Sequence, residues 1–290
     1  MQAFEYVAAE SLGEAISLLD KHGNQARILS GGTDLIVQVR ENRRQVDLLI
    51  DIKKIPAFNE ISYNGSLQIG ASVPCYQVYG NEDVQRLFPA LVDSTSIIGG
   101  VQIQSRASIG GNLCNASPAA DSIPALIALG ASCVIQGPNG DRKVSVEEFC
   151  TGPGQTALSS NELLVKLVVP KPANNSSSFY LRFIPRNEMD IAVVGVGASV
   201  ELSSDHKTFV SARIALGAVA ATPLFAEEAS NILAGQPVSE ESIQIACSVA
   251  QDVARPISDM RGSAEQRKHL VSVLTKRALN GAISRIKETA

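Results

Sequence analysis

Two double-glycine loops constrain this 290-residue chain more than any other feature of its sequence. The first is Ser30-Gly31-Gly32-Thr33-Asp34, between a strand pattern and a helical pattern, and the second is Ser108-Ile109-Gly110-Gly111-Asn112. Glycines let the backbone adopt a positive φ and approach a ligand closely. The free N–H groups where a helix begins favour an anion. The two loops together predict a cradle that could hold the diphosphate of one dinucleotide.

Each loop alone has a simpler explanation, because a strand, two glycines and a helix also form an ordinary tight connection. No G-x-G-x-x-G sequence opens a helix, so this is not a Rossmann fingerprint, and there is no Walker A lysine motif. Gly195-Val196-Gly197 lies in a strand pattern, where glycine is typical of close strand packing. We interpret Asp34, whose carboxylate would repel a phosphate, as a cap that faces its own helix backbone.

The first fifty residues predict a β-α-β unit around the first glycine loop. Apolar side chains share one face of a helix over residues 11–21, and Ser11 can cap that helix. Strands are predicted over residues 26–29 and 46–52, and a second helix over residues 35–40. We take this segment as a subdomain of about residues 1–55.

Residues 56–176 predict a second, larger subdomain of mixed strands and helices. Strand patterns occupy residues 67–70, 133–136 and 163–169, and helical patterns occupy residues 76–86, 88–98 and 123–129. The polar run ANNSSS at residues 173–178 is typical of a linker. Residues 1–176 are therefore predicted to form one domain.

The remaining residues, 177–290, predict a C-terminal domain of different architecture. Three strand patterns, over residues 179–183, 191–202 and 212–219, come first. Three helical patterns follow, over residues 226–233, 240–253 and 264–282. Strands followed by helices are typical of an α+β arrangement. The fold class predicted for the whole chain is accordingly α+β, or mixed α/β.

Composition argues against several classes of function. The 25 Lys and Arg residues against 29 Asp and Glu give a formal net charge of −4, so no basic excess could neutralise a nucleic-acid backbone. No apolar stretch is long enough to span a bilayer, so no membrane insertion is expected. The N-terminus lacks the basic region and apolar run of a secretory signal, and we expect a cytoplasmic protein.

The thiol and imidazole side chains show no catalytic or metal-binding pattern. The five cysteines are widely spaced and include no CxxC pair, so we expect five reduced, mostly buried thiols. The three histidines, His22, His206 and His269, belong to no visible triad. We expect neither catalytic residues nor metal ligands in this chain.

Longer stretches around both loops resemble one known family. SGGTDLI at residues 30–36 and ASIGGNLCNASPAADSIPAL at residues 107–126 are similar to the medium subunits of molybdenum hydroxylases of the xanthine and carbon monoxide dehydrogenase type. RNEMDIAVVGVGA at residues 186–198 and RGSAEQRKHL at residues 261–270 fit the same subunits. The resemblance implies an FAD-binding domain of the vanillyl-alcohol oxidase and p-cresol methylhydroxylase type, built of two α/β subdomains. It also implies a C-terminal domain of a three-stranded antiparallel sheet with helices.

The same resemblance implies a set of FAD contacts. The first loop would contribute eight consecutive residues, Ile28, Leu29, Ser30, Gly31, Gly32, Thr33, Asp34 and Leu35. The second would contribute Ser108, Ile109, Gly110, Gly111 and Asn112 around the diphosphate. Asp121 falls where the family has an aspartate near the ribose or diphosphate, Leu164 where a leucine lines the flavin site, and Arg182 at a basic flavin contact. The alternatives are plain strand core for Leu164 and a solvated strand charge for Arg182.

Ile98 departs from the pattern of the animal xanthine dehydrogenases, which have a flavin-stacking phenylalanine at this place. We expect Ile98 to face the flavin ring and cover it without stacking. The alternative is that Ile98 ends an apolar helix and packs in the core beside Ile97. Two further positions depart from the family pattern. Gln104 stands where many relatives have arginine, and Gln266 replaces an aromatic residue, but neither change weakens the resemblance.

The resemblance implies an electron-transfer role within a heterotrimer, often dimerised. A large subunit would hydroxylate the substrate at molybdopterin, and a small subunit with two [2Fe–2S] clusters would pass the electrons to FAD in this chain. The acceptor would be NAD⁺, a quinone or another molecule. The Thr33-Asp34 pair resembles the pair found in xanthine- and nicotinate-type enzymes, whereas carbon monoxide dehydrogenases commonly have His-Ser. This difference favours an N-heterocyclic or purine substrate. A carbon monoxide dehydrogenase or aldehyde oxidase medium subunit is the alternative.

Three further possibilities have less support from the sequence. The 4-hydroxybenzoyl-CoA reductase subtype carries a cysteine-bearing insertion, and this chain has no insertion between Asp121 and Thr151. A stand-alone flavin oxidoreductase of the vanillyl-alcohol oxidase group would carry its own substrate domain, which the C-terminal third does not resemble. An assembly subunit that had lost its flavin would not need two intact double-glycine loops.

Overall fold

The N-terminal segment is a small parallel sheet whose crossovers contain helices. In a computed structural model, which describes residues 3–289, strands β1 (Glu5–Ala8), β2 (Ala26–Leu29) and β3 (Leu48–Asp51) pair in parallel in the order β1-β3-β2. Helices α1 (Leu12–His22) and α2 (Leu35–Arg40) connect them. Ser11 caps α1 as predicted, since its hydroxyl accepts from the Glu14 amide at 3.1 Å. The sequence pattern did not indicate β1, whose side chains are exposed or half-buried.

The second segment is built on a larger antiparallel sheet. Within the described residues its strand order is β4-β5-β10-β6-β7, and a separate hairpin pairs β8 with β9. The strands are β4 (Ile61–Tyr63), β5 (Ser66–Gly70), β6 (Ser132–Gly137), β7 (Gly140–Ser145), β8 (Cys150–Gly152), β9 (Gln155–Thr156) and β10 (Leu163–Pro170). The helices are α3 (Cys75–Gly80), α4 (Glu82–Leu87), α5 (Pro89–Thr95), α6 (Val101–Gln104), α7 (Ile109–Asn115), α8 (Ser122–Ala128) and α9 (Val146–Phe149).

Two of the helices predicted in this segment have the wrong limits. The helix expected over residues 76–86 divides into α3 and α4, because the Asn81 side chain accepts from the Val84 amide at 3.1 Å and starts a new helix. The helix expected over residues 88–98 ends at Thr95, whose hydroxyl bonds the Leu91 carbonyl at 2.6 Å. Ile98 therefore lies in the turn after α5 and not in a helix.

The C-terminal segment is an antiparallel sheet covered by helices. Strands β11 (Ser176–Phe183), β12 (Val194–Leu202), β13 (Phe209–Gly217) and β14 (Leu224–Phe225) pair in this order. Helices α10 (Glu227–Asn231), α11 (Glu240–Val253) and α12 (Ala264–Thr289) follow. The expected three-stranded sheet is thus four-stranded in the described residues, because β14 is too short to leave a sequence pattern. The sheet also begins inside the predicted linker, while the proposed domain limits stay a prediction.

Close backbone packing joins the C-terminal sheet to the second segment. A Cβ on Gly197 would lie 2.5 Å from the carbonyl oxygen of Pro124 in α8, and one on Gly217 would lie 2.9 Å from the Pro124 ring. The prediction that the glycines around Val196 allow close strand packing is therefore confirmed. Larger side chains at these two glycines would push β12 and β13 away from α8.

A bidentate ion pair also links the two segments. Arg285 on α12 donates to both carboxylate oxygens of Asp93 on α5, at 2.7 and 2.8 Å. The same guanidinium donates to the Ser178 carbonyl at 2.7 Å and lies over the Phe179 ring, 4.3 Å from its centroid. Two parallel N–H···O bonds give such a pair a defined geometry, so α12 is held at one angle to β11.

The cysteines are mostly buried, as the sequence predicts. Cys75, Cys133, Cys150 and Cys247 are buried, Cys114 is half-buried, and all five are free thiols. Burial raises the pKa of Cys75 to about 12 and that of Cys247 to about 11, so these thiols stay protonated. Within residues 3–289, no helix combines the length and the apolar character needed to cross a membrane.

We predict that Gly197→Ala destabilises the chain by about 1–3 kcal/mol, because the new methyl group overpacks against backbone atoms that cannot move aside. Gly13→Ala is the matched control, since nothing lies within 4 Å of a Cβ built at this position in α1. The control should leave stability unchanged or slightly raised. Urea unfolding of both variants measures the difference, and equal midpoints would contradict the packing described here.

Candidate functional site

The two glycine loops meet at one long cleft of about 870 Å³. The first loop follows β2 at the carboxyl end of the parallel sheet, and the second leads into α7. Side chains from β10, β11 and the turn after α5 complete its walls. Fifteen predicted site residues line it: Ile28, Ser30, Gly31, Gly32, Thr33, Asp34, Leu35, Ile98, Ser108, Gly110, Gly111, Asn112, Asp121, Leu164 and Arg182.

Hydrogen bonds hold the two loops against each other. The hydroxyl oxygens of Ser30 and Ser108 lie 2.9 Å apart, and Arg106 donates to the Gly31 carbonyl at 3.2 Å. Behind the first loop, Lys53 donates to the Ser30 carbonyl at 3.0 Å and to Asp51 at 2.8 Å. The cradle is therefore tied to the end of β3 as well as to the second loop.

The four glycines serve different purposes. A Cβ on Gly31 would lie 2.1 Å from the Arg106 carbonyl oxygen, and one on Gly110 would lie 2.4 Å from the Ala71 carbonyl oxygen. These two glycines let the protein pack against itself. Gly32 is the one loop glycine with a positive φ, at +77°. A Cβ on Gly111 would meet only the Ser108 hydroxyl, at 3.0 Å, so the face of Gly111 is open to the cleft.

The start of α7 is fixed by side chains on both sides. The Ser108 hydroxyl caps the helix by accepting from the Gly111 amide at 3.0 Å. The Asn112 carboxamide oxygen accepts from the Ser122 hydroxyl at 2.7 Å, which joins α7 to the start of α8. These contacts hold the first turn of α7 against the cleft, where backbone N–H groups favour an anion.

The interpretation of Asp34 as a helix cap is wrong. Asp34 precedes α2, but its side chain makes no capping bond, since the residue already has helical φ and ψ. Its carboxyl group lines the cleft, and burial raises its pKa above the ordinary value.

A buried ion pair forms one wall of the cleft. Arg182 on β11 donates to Asp121 at 2.6 Å, and the arginine and aspartate side chains are 7% and 10% exposed. The alternative of a solvated charge at Arg182 is therefore wrong. Tyr180 donates to the other carboxylate oxygen of Asp121 at 2.8 Å. Burial raises the pKa of Asp121 to about 6, while Arg182 and Tyr180 oppose that rise, so the carboxylate is ionised at neutral pH.

The two apolar positions carried over from the family both reach the cleft. Ile98 is half-buried and lies in the cleft wall, while its neighbour Ile97 packs on the core. The alternative that Ile98 ends a helix in the core is therefore wrong. Leu164 is 3% exposed and belongs to both the core and the cleft lining, so both interpretations of this residue describe part of its surroundings.

Two predicted residues do not line the cleft, and several others were missed. The side chains of Leu29 and Ile109 are buried in the protein, so any contact they make would come from their backbone. Several lining residues were not predicted: Thr151, Gly154, Gln155 and Thr156 around the β8–β9 hairpin, Arg27 within β2, and Arg44. A Gly-Pro-Gly turn at residues 152–154 was the available signal.

This arrangement is suited to binding an elongated anionic ligand. The cleft combines helix starts, an open glycine face, apolar side chains and one buried cation with its counter-ion. In the part of the chain that the structure describes, no group of three or more His, Cys, Asp or Glu side chains could hold a metal ion. The open face of Gly111 leaves room for the diphosphate of FAD, and the volume suits a dinucleotide. The residues present therefore fit FAD.

Comparison with known proteins defines the class. Residues 2–172 match the family described as the FAD binding domain in molybdopterin dehydrogenase, and residues 179–282 match the carbon monoxide dehydrogenase flavoprotein C-terminal domain. The chain is 34% identical over 283 residues to the xanthine dehydrogenase FAD-binding subunit of Escherichia coli O157:H7, covering 96% of both chains. It is also 34% identical over 283 residues to the carbon monoxide dehydrogenase medium chain of Hydrogenophaga pseudoflava, covering 97% of this chain and 98% of that one.

A solved structure agrees with the sequence comparisons. A chain of carbon monoxide dehydrogenase from Hydrogenophaga pseudoflava superimposes with a TM-score of 0.94 and 33% identity, covering 98% of both chains. The chain belongs to the family of FAD-binding medium subunits of molybdenum hydroxylases, which includes those of xanthine and carbon monoxide dehydrogenases. The resemblance, the fold class and FAD as the cofactor are thereby confirmed.

We predict that Gly111→Val abolishes FAD binding while the chain still folds. The branched side chain would fill the open face above α7, whereas strain from a positive φ plays no part, because Gly111 has none. Gly110→Ala is the contrasting variant, since its methyl group would meet the Ala71 backbone and lower stability. Absorbance at flavin wavelengths and circular dichroism separate the two effects. A folded Gly111→Val chain with full flavin occupancy would refute this role of the loop.

Proposed function

We propose that this chain is the electron-transfer subunit of a heterotrimer. It would take electrons from the [2Fe–2S] clusters of a small subunit, after a large molybdopterin subunit has oxidised the substrate, and deliver them to NAD⁺ or another acceptor. Two heterotrimers would associate as a dimer. The observation that carries the proposal is the cleft in which both glycine loops meet beside the open face of Gly111.

The extent of the similarity supports a subunit and not a self-contained enzyme. The chain and the E. coli xanthine dehydrogenase FAD-binding subunit each cover 96% of the other, so the similarity to a protein named as a subunit extends over nearly the whole alignment. A stand-alone flavin oxidoreductase would need acid and base residues at a substrate site of its own. Among the charged side chains that line this cleft, Asp121 and Arg182 already bond each other as a buried ion pair, so neither is a free acid or base.

Each part of the cleft has a distinct task in this proposal. The backbone of both glycine loops would hold the diphosphate, and Ile98 with Leu164 would cover the flavin ring and exclude water from it. Arg182, held by Asp121, would place a positive charge in the same wall. FAD, when bound, supplies the redox chemistry, while the protein binds, orients and tunes it.

For the substrate of the complex we propose an N-heterocycle or a purine. The support is the Thr33-Asp34 pair, which resembles the pair in xanthine- and nicotinate-type enzymes more than the His-Ser pair common in carbon monoxide dehydrogenases. Both residues line the cleft proposed for FAD. They therefore support the substrate class through similarity to related enzymes and not through contact with the substrate. The two relatives compared above are equally similar, at 34% identity, which keeps carbon monoxide and aldehydes as alternatives.

We predict that the purified chain is yellow and releases FAD, not FMN, when it is denatured. Two loops that could cradle a diphosphate motivate this expectation, because FMN has one phosphate and would leave half of the cleft empty. Chromatography of the released flavin against both standards makes the measurement. Release of FMN, or of no flavin, would contradict the assignment.

We predict that substrates bleach the flavin only when the partner subunits are present. Purine, nicotinate, carbon monoxide and aldehyde would be tested anaerobically, with dithionite as the control that should bleach the isolated chain directly. Co-expression with a molybdopterin subunit and a [2Fe–2S] subunit should restore bleaching by one substrate class, which identifies the substrate. Bleaching of the isolated chain by any of these substrates would favour the stand-alone oxidoreductase.

A further inference from the structure

A buried phenol lies behind the ion pair of the cleft wall. Tyr180 is 3% exposed, and its hydroxyl donates to Asp121 at 2.8 Å. We propose that Tyr180 is a positioning residue, which acts through Asp121 to hold the Arg182 guanidinium and the turn of Ile98 against the flavin. This proposal rests on the proposed function, because it concerns how the same cleft is shaped for FAD.

The geometry gives each oxygen of Asp121 its own donor. Tyr180 and Arg182 are two residues apart on β11, so their side chains extend from the same face of the strand. Tyr180 bonds Oδ1 of Asp121, and Arg182 bonds Oδ2 at 2.6 Å. The carboxylate is therefore held from two directions and cannot rotate without breaking one of the bonds.

The chain of contacts continues to the cleft surface. Arg182 also donates to the Ile97 carbonyl at 3.0 Å, which fixes the turn that carries Ile98. Buried charges are costly unless each is paired and hydrogen-bonded, so loss of one donor to Asp121 weakens the whole set. The pKa of Tyr180 lies well above its ordinary value because the phenol is buried beside a carboxylate, so Tyr180 remains a donor.

The neighbouring strand is shaped around this phenol. Gly195 on β12 pairs with Arg182 in the sheet register. A Cβ on Gly195 would lie 2.7 Å from the Tyr180 hydroxyl oxygen, but 3.4 Å from the next ring carbon. The space at Gly195 is thus needed by the hydroxyl group, and a phenylalanine at position 180 would not require it.

The first test measures the reduction potential of the bound flavin at pH 7.5 in the full chain. Tyr180→Phe removes one of the two donors that stabilise the ionised Asp121 carboxylate. Its loss favours the protonated carboxyl group, which leaves the charge of Arg182 less compensated, so the potential should shift upward. Asp121→Asn should give a larger shift in the same direction, and Tyr180→Phe should then add nothing in the Asp121→Asn background. Tyr79→Phe is the matched control, since it removes a phenol that bonds Gln104 at 3.1 Å outside this set, and it should leave the potential unchanged.

The second test needs no flavin and uses thermal unfolding. Gly195→Ala should lower the melting temperature of the otherwise unchanged chain, because the methyl group would meet the Tyr180 hydroxyl. In the Tyr180→Phe background the same substitution should cost much less, since the obstructing oxygen is gone. Equal losses in both backgrounds would show that Gly195 does not accommodate the phenol.

The outcomes separate this proposal from the proposed function. A wild-type chain that binds no FAD would overturn both. A loaded wild type together with a folded, loaded Tyr180→Phe variant of unchanged potential would overturn only the role of Tyr180. A Tyr180→Phe shift that persists in full with Asp121→Asn would show that Tyr180 does not act through Asp121.

Discussion

The architecture of the site depends on how closely the two glycine loops approach each other. Gly31 lies against the backbone of Arg106, and the hydroxyls of Ser30 and Ser108 are 2.9 Å apart. Neither contact survives a larger residue at position 31, because the obstructing atoms belong to the backbone. This approach brings the end of β2 and the start of α7 to one cleft, although the loops are far apart in the chain. The open face of Gly111 then remains for the ligand.

The C-terminal domain contributes to the same site through β11. The Arg285–Asp93 pair holds α12 beside this strand, and Asp93 also accepts from the Tyr180 amide at 3.0 Å. From β11, Tyr180 and Arg182 reach the Asp121 carboxylate in the FAD-binding domain. In this chain, a strand of the C-terminal sheet thus completes the wall of the cleft that the two glycine loops form.

Local sequence patterns predicted most helices and strands. The predictions failed where a single side chain ends a helix, or where pairing with a distant strand forms a short strand. Ser11 capped α1 as expected, and α11 has the predicted limits because a 14-residue amphipathic pattern is hard to mistake. The strand β1 is set by pairing with β3, and β14 by pairing with β13, so neither has a pattern of its own. The break at Asn81 shows a side chain that competes with helix continuation.

The sequence by itself determined which family the chain joins, and with it FAD as the cofactor, because the stretches around the two glycine loops are long and specific. Only the tertiary structure decided what each residue does there. In the fold, Gly31 and Gly110 allow close packing, whereas the face of Gly111 stays open to the cleft. Arg182 is buried in an ion pair, and Asp34 does not cap its helix. Tyr180 was also beyond the sequence, because its role depends on Asp121, which is distant in the chain. The physical reason is that a glycine, an arginine or a tyrosine acquires its role from atoms brought near it by chain segments far away.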